Sequence, residues 1–138
     1  MERSLRLSAN QKAIILEHVV RCLPEEACGL LGGYGSFVKR VIPVTNRLHS
    51  PVRFYMEPSE LLEALEALGE EELELVGIFH SHPHGPPVPS ETDLREFAYP
   101  ESLMVILSPQ GKDWQLRAFE IDMENRTFRE VDLVLEEE

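Results

Sequence analysis

Cysteine is scarce in this chain: Cys22 and Cys28 are the only two in 138 residues. They have neither the paired spacing of a cysteine zinc site nor the density of a disulfide-stapled secreted domain, so reduced thiols are expected. Long apolar runs are lacking as well. None approaches the ~20 residues of a membrane helix, and the opening Met1-Glu2-Arg3-Ser4-Leu5-Arg6 has no apolar signal core but leads into a polar helical pattern. A cytoplasmic protein is expected. Basic residues are outnumbered, 13 Lys and Arg against 25 Asp and Glu, for a net charge of −12. Phosphate backbones and anionic lipid repel such a chain, which argues against nucleic acid or a membrane as partner. The acidic run at 70–74 and the terminal Glu136-Glu137-Glu138 read as a solvated face and tail.

What is present suffices for one compact domain over residues 1–138, with 43% hydrophobic and 28% charged residues. Ser8 is placed to cap a helix over 9–23, which Pro24 ends. The run Ala27-Cys28-Gly29-Leu30-Leu31 reads as a buried strand, with a turn at 33–36 and a return over 37–44. A further extended stretch is expected at 52–56. Pro58-Ser59 opens a helix bearing Leu61, Leu62, Leu65 and Leu68, and Gly69 with the glutamates closes it. Residues 73–80 form a short apolar strand, and a helix runs from Ser90 to about Phe97. Three strands are predicted over 103–107, 114–120 and 127–135, with a Pro109-Gln110-Gly111 turn between the first two. No repeat or linker interrupts this order. It predicts an α+β fold, a mixed, curved β-sheet flanked by helices.

The chemistry concentrates where the strand ending at residue 80 breaks into a loop. In an extended chain, side chains at i and i+2 point to one side, so His80 and His82 converge. Two convergent neutral imidazoles are natural zinc ligands. Pro83, Pro86, Pro87 and Pro89 stiffen the adjoining loop and lower the entropy of holding the pair in place. Ser90-Glu91-Thr92-Asp93 reads as a helix capping box, yet a first-turn carboxylate can also face a metal. Two histidines and a carboxylate would leave one tetrahedral position open, as hydrolytic zinc sites require. Such a site also needs a carboxylate to move protons. Glutamates are so abundant that composition does not choose one.

Taken together, His80-Ser81-His82-Pro83, the spacer closing on Ser90, and Asp93 eleven residues after His82 resemble the JAMM (MPN-plus) metallopeptidase motif. Upstream, Pro24-Glu25-Glu26-Ala27-Cys28-Gly29-Leu30-Leu31-Gly32 is similar to the family's glutamate segment and places the glutamate at Glu26. Arg53-Phe54-Tyr55-Met56 and Val76-Gly77-Ile78-Phe79 fit the same layout, over roughly residues 7 to 120. The resemblance implies a single MPN/JAMM-type domain related to the cytidine-deaminase-like folds. It implies one zinc per chain on His80, His82 and Asp93, with Glu26 as general base and acid and Ser90 as oxyanion donor. Ser81 should face away from the metal, with Cys28 and Gly29 as packing positions. Active members hydrolyse peptide or isopeptide bonds after a C-terminal Gly-Gly tail. The short chain resembles the compact prokaryotic type, whose substrates are ubiquitin-like or sulfur-carrier proteins. The residues at 52–56 are the expected edge for such a tail to join as a strand. The alternative is a non-catalytic MPN-type scaffold or protein-interaction domain, but scaffolds lose ligands and all five positions are present. A zinc deaminase would need His-x-Glu and Pro-Cys-x-x-Cys, which are missing. The sequence leaves the oligomeric state open.

Overall fold

Among the described residues, seven strands close on themselves in the order β1-β3-β2-β4-β5-β6-β7, with the first helix packed against one face of the sheet and the other two against the opposite face. The computed structural model describes residues 3–136, so Glu137 and Glu138 of the acidic tail lie outside the described residues. The strands are β1 (Ser4–Ser8), β2 (Cys28–Tyr34), β3 (Phe37–Val44), β4 (Glu74–Ser81), β5 (Leu103–Gln110), β6 (Asp113–Asp122) and β7 (Thr127–Glu136). The helices are α1 (Ala9–Cys22), α2 (Pro58–Glu70) and α3 (Glu91–Glu96). The sheet is mixed: β1 runs parallel to both β3 and β7, β4 runs parallel to β5, and the other pairs are antiparallel. No helix among the described residues is long and apolar enough to cross a membrane.

Helix α1 starts at the predicted cap. Ser8 Oγ accepts from Gln11 N at 3.0 Å and Gln11 Oε1 accepts from Ser8 N at 2.9 Å, so two otherwise orphaned amides are paired. Strand β5 is buried from Leu103 to Ser108 because it is covered on both faces. Leu103, Val105 and Leu107 join Phe79, Leu31 and the α1 residues Ile15 and Val19 in one apolar cluster. Met104 and Ile106 join Ile78, Leu30 and the α2 residues Ala64 and Leu68 in the other. The two-residue strand period thus sorts neighbours to opposite faces.

Several expectations change. The residues before the first helix are not a polar lead-in but strand β1, whose Leu5 and Leu7 alternate inward and are fully buried. Its pairing with β7 turns the curved sheet into a closed one, and Glu136 belongs to β7 and pairs with Arg6 rather than lying in a solvated tail. Strand β2 runs on through Gly32-Gly33 with a shift of register, and the turn sits at Gly35, whose φ of +56° suits glycine. Helix α2 ends at Glu70, among the glutamates expected to close it. Pro109 and Gln110 remain in β5, and the turn falls at Gly111. The stretch 52–56 is not a strand: it makes one isolated bridge, Asn46 to Met56.

Gly29 is required by a close approach. A Cβ there would lie 2.4 Å from the Phe79 ring and 2.6 Å from the Ile42 carbonyl oxygen. Gly29→Ala is therefore expected to lower stability by about 1–3 kcal/mol through overpacking. A urea titration reads this, and an unchanged midpoint would mean that β2 and β4 part without cost.

Candidate metal centre

Beyond the register shift in β4, Ile78 faces α2, so His80 follows it on that side and His82, just past the strand end, continues the row. The strand end is held from both sides. Ser81 N donates to Ala27 O at 3.0 Å, Ala27 N donates to Ser81 Oγ at 2.8 Å, and His82 N donates to Leu107 O at 2.8 Å. Ser81 thus faces away from the imidazoles and ties β4 to the residue after Glu26. Cys28 is fully buried opposite His80, and burial pushes its thiol up to about 12, as befits a packing position.

Three donor atoms meet in a near-equilateral triangle. His80 Nε2 lies 3.0 Å from His82 Nε2 and 3.1 Å from Asp93 Oδ2, and His82 Nε2 lies 3.0 Å from the same oxygen. Asp93 reaches this point from the first turn of α3, where the capping box forms as its sequence predicts. Asp93 N donates to Ser90 Oγ at 3.0 Å and Ser90 N donates to Asp93 Oδ2 at 2.9 Å. The capping and metal-facing readings of Asp93 are compatible because Oδ2 serves both. Burial by itself would raise the Asp93 pKa. The attraction of His80 and the hydrogen bonds from His80, His82 and Ser90 outweigh it and hold the carboxyl well below its usual range. Complete burial favours the neutral form of His80 against the pull of Asp93. Burial acts the same way on His82, but the hydrogen bonds to Asp93 and Pro86 prevail and raise its pKa.

Glu26 lies in the loop before β2, 4% exposed, and its Oε1 has no hydrogen-bond partner. A Glu26 carboxylate oxygen and a nitrogen from each of His80 and His82 all lie within 4.8 Å of one another, forming a buried group able to hold a metal ion. Burial raises the Glu26 pKa to about 8; His82 pulls it down and Asp93 pushes it up. The five residues singled out in the sequence therefore assemble in one place. The donor set also suits zinc dimensionally. Ligands ~2.0–2.1 Å from a tetrahedral zinc lie about 3.3 Å apart, within a few tenths of an ångström of the edges found here.

Supporting residues were not identified from the sequence. His82 Nδ1 is 2.7 Å from Pro86 O. A carbonyl only accepts, so Nδ1 carries a proton and Nε2 turns to the cluster. Asn46 is 3% exposed and its amide nitrogen donates to Glu26 O and Arg53 O, both at 3.0 Å. Its Oδ1 accepts from Leu48 N and Tyr55 N, both at 3.1 Å. These bonds explain why 52–56 is no strand: the asparagine takes backbone groups that a sheet edge would need. The stretch expected to receive the tail as an added strand is thus a loop held by Asn46. Phe54, in the same loop, stacks on His80 with ring centroids 4.6 Å apart and planes at 26°. A cleft of about 640 Å³, lined by Phe54, Met56, Leu61, Leu65 and Phe97 among others, borders Asp93.

The model of the prokaryotic homologs of the JAB domain matches residues 8–122. This chain belongs to the prokaryotic JAB family. It is 39% identical over 132 residues to a desampylase of Pyrococcus furiosus, covering 89% of this chain and 90% of the relative. A probable TtuB-protein conjugate cleaving protease of Thermus thermophilus is 38% identical over 105 residues, 70% of each chain. The solution structure of a Desulfitobacterium hafniense protein superposes with a TM-score of 0.86 at 34% identity, covering 97% of this chain and 94% of that one. The JAB assignment agrees with the observed α+β fold of mixed sheet and three helices.

Proposed function

We propose that this JAB protein is a zinc-dependent peptidase. It hydrolyses a peptide or isopeptide bond after the C-terminal Gly-Gly tail of a ubiquitin-like or sulfur-carrier protein. The observation that carries this reading is the triangle of His80, His82 and Asp93 with the unpartnered Glu26 carboxyl beside it. Those first three residues are assigned as ligands of one zinc per chain. Asp93 is the carboxylate ligand rather than Glu26 because it is held ionised and lies within 3.1 Å of both ring nitrogens, whereas burial favours a proton on Glu26.

When bound, zinc supplies a Lewis acid and brings the pKa of water to roughly 7. The remaining work belongs to the chain. Glu26 takes a proton from the attacking water and returns it to the leaving amine, a task for which its carboxylate is placed by lying beside both imidazoles. Ser90 Oγ uses a lone pair for Asp93 N and keeps its O–H for the carbonyl oxygen as charge develops there. Pro86 O fixes His82, and Asp93 stays ionised through the cycle. The cleft beside Asp93 gives an extended tail an apolar wall next to the reacting bond. The names of the two relatives, a desampylase and a protein-conjugate cleaving protease, support conjugates as the substrate class.

Elemental analysis of untagged protein purified without chelator is expected to give about one zinc per chain after reloading and dialysis. The same preparation should release a leaving group from a Gly-Gly-tailed carrier protein, and chelation should stop it. Absence of zinc even after reloading would sink this assignment and favour the scaffold.

A further inference from the structure

The two histidines of the centre are oriented by different means. His82 has its Nδ1 bonded to Pro86 O at 2.7 Å, the second-sphere hydrogen bond that ligand imidazoles usually make. His80 has none: its Nδ1 is buried without a hydrogen-bond partner, in a side chain fully shut off from solvent. What lies against the His80 ring instead is the face of Phe54, 4.6 Å away and 26° from parallel. His82 meets the same imidazole at 4.8 Å and 62°. With no hydrogen bond on its outward nitrogen, this imidazole is oriented by its Nε2 contacts with Asp93 and His82 and by such packing, and an offset aromatic stack contributes about 0.5–1.5 kcal/mol.

Phe54 is held more firmly than its irregular loop suggests. The carbonyl before it, Arg53 O, and the amide after it, Tyr55 N, are both bonded to the side chain of Asn46. Arg53 also forms an ion pair with Glu96 on α3, the helix that carries Asp93. The same Asn46 amide bonds Glu26 O. One buried asparagine therefore sets the height of the ring over His80 and the position of the Glu26 backbone.

We propose that Phe54 is a positioning residue: its face sets the plane of the His80 imidazole, in place of the missing hydrogen bond, and so tunes the affinity of the centre for zinc. This rests on the zinc reading above and adds a residue that touches neither metal nor scissile bond. Loss of an orienting partner costs roughly 10–100-fold in metal affinity, so Phe54→Leu, which keeps apolar bulk but removes the flat face, is expected to weaken zinc binding about tenfold. Phe54→Tyr should stay close to the parent.

The test is competition of the intact protein against a chromophoric zinc chelator, for the parent and both variants. Ring resonances of His80 and His82 in the zinc-free proteins are recorded alongside. In Phe54→Leu the His80 ring signals should shift and broaden while those of His82 hold. Leu and Tyr variants binding zinc equally, with unmoved His80 signals, would reduce Phe54 to a packing residue. Phe54 is only half-buried in a loop, so both variants should fold. If Leu does not, a Tyr variant whose affinity falls as far as that of Phe54→Met overturns the proposal just as well. A parent protein that binds no zinc defeats the functional reading itself, an outcome distinct from a parent that binds and a variant that binds as tightly.

Discussion

Glu26→Gln is expected to lower turnover by about 10²–10⁴-fold, the usual contribution of a positioned acid–base group, while zinc stays at one per chain. The substitution is isosteric and leaves the His80, His82 and Asp93 donors in place, so the centre keeps its ligands and loses its proton carrier. A second effect points the opposite way. Without metal, the buried Glu26 carboxyl titrates near 8 instead of its ordinary 4.5. The folded state then holds a proton that the unfolded chain has released between those values, so folding stability falls as pH rises through that window and levels off above about 8. Glutamine has no charge to bury. The zinc-free variant should therefore be more stable than its parent at pH 8 by about 1–3 kcal/mol, and the gap should close toward pH 4.5. Denaturant melts across that range measure it, and a pH-independent difference would contradict the burial of an ionisable Glu26.

His82→Ala should abolish zinc binding and turnover together. Removing a ligand costs more than losing an orienting partner, so the affinity should drop by well over about 100-fold. The metal-free fold also suffers. Pro86 O loses its donor, and the ionised Asp93 loses one of its partners in a largely buried setting. A loss of about 2–4 kcal/mol is expected in a urea melt. Zinc retained in this variant would mean that Glu26 had moved in as third ligand, and the acid–base assignment would then need another residue.

The centre was legible because its residues lie in short, patterned stretches. His80 and His82 obey the strand period, Ser90 to Asp93 obey helix-capping rules, and both operate over a few residues. Glu26 needed the family's pattern, since 25 acidic residues gave no local reason to prefer it. What escaped was set by long-range contact. Asn46 looks like any loop asparagine until backbone groups from separate segments converge on it, and Phe54 could have filled any core. Strand β1 carried its alternation in only two apolar residues, Leu5 and Leu7, too few to separate it from the helix next to it. The stretch 52–56 had strand composition, but its hydrogen bonds had already been claimed.

Closure by β1 has a consequence for how the chain comes to life. Ser4 pairs with Asp132 and Ser8 with Glu136, so β1 leaves the ribosome well over 100 residues ahead of its main partner, β7. Leu5 and Leu7, fully buried in the folded molecule, must stay uncovered or find temporary shelter until β7 emerges. Contacts so distant along the chain form slowly. The interval before β7 arrives is thus the period in which a chaperone has most to protect, and a stalled or truncated message would release a chain with an open seam.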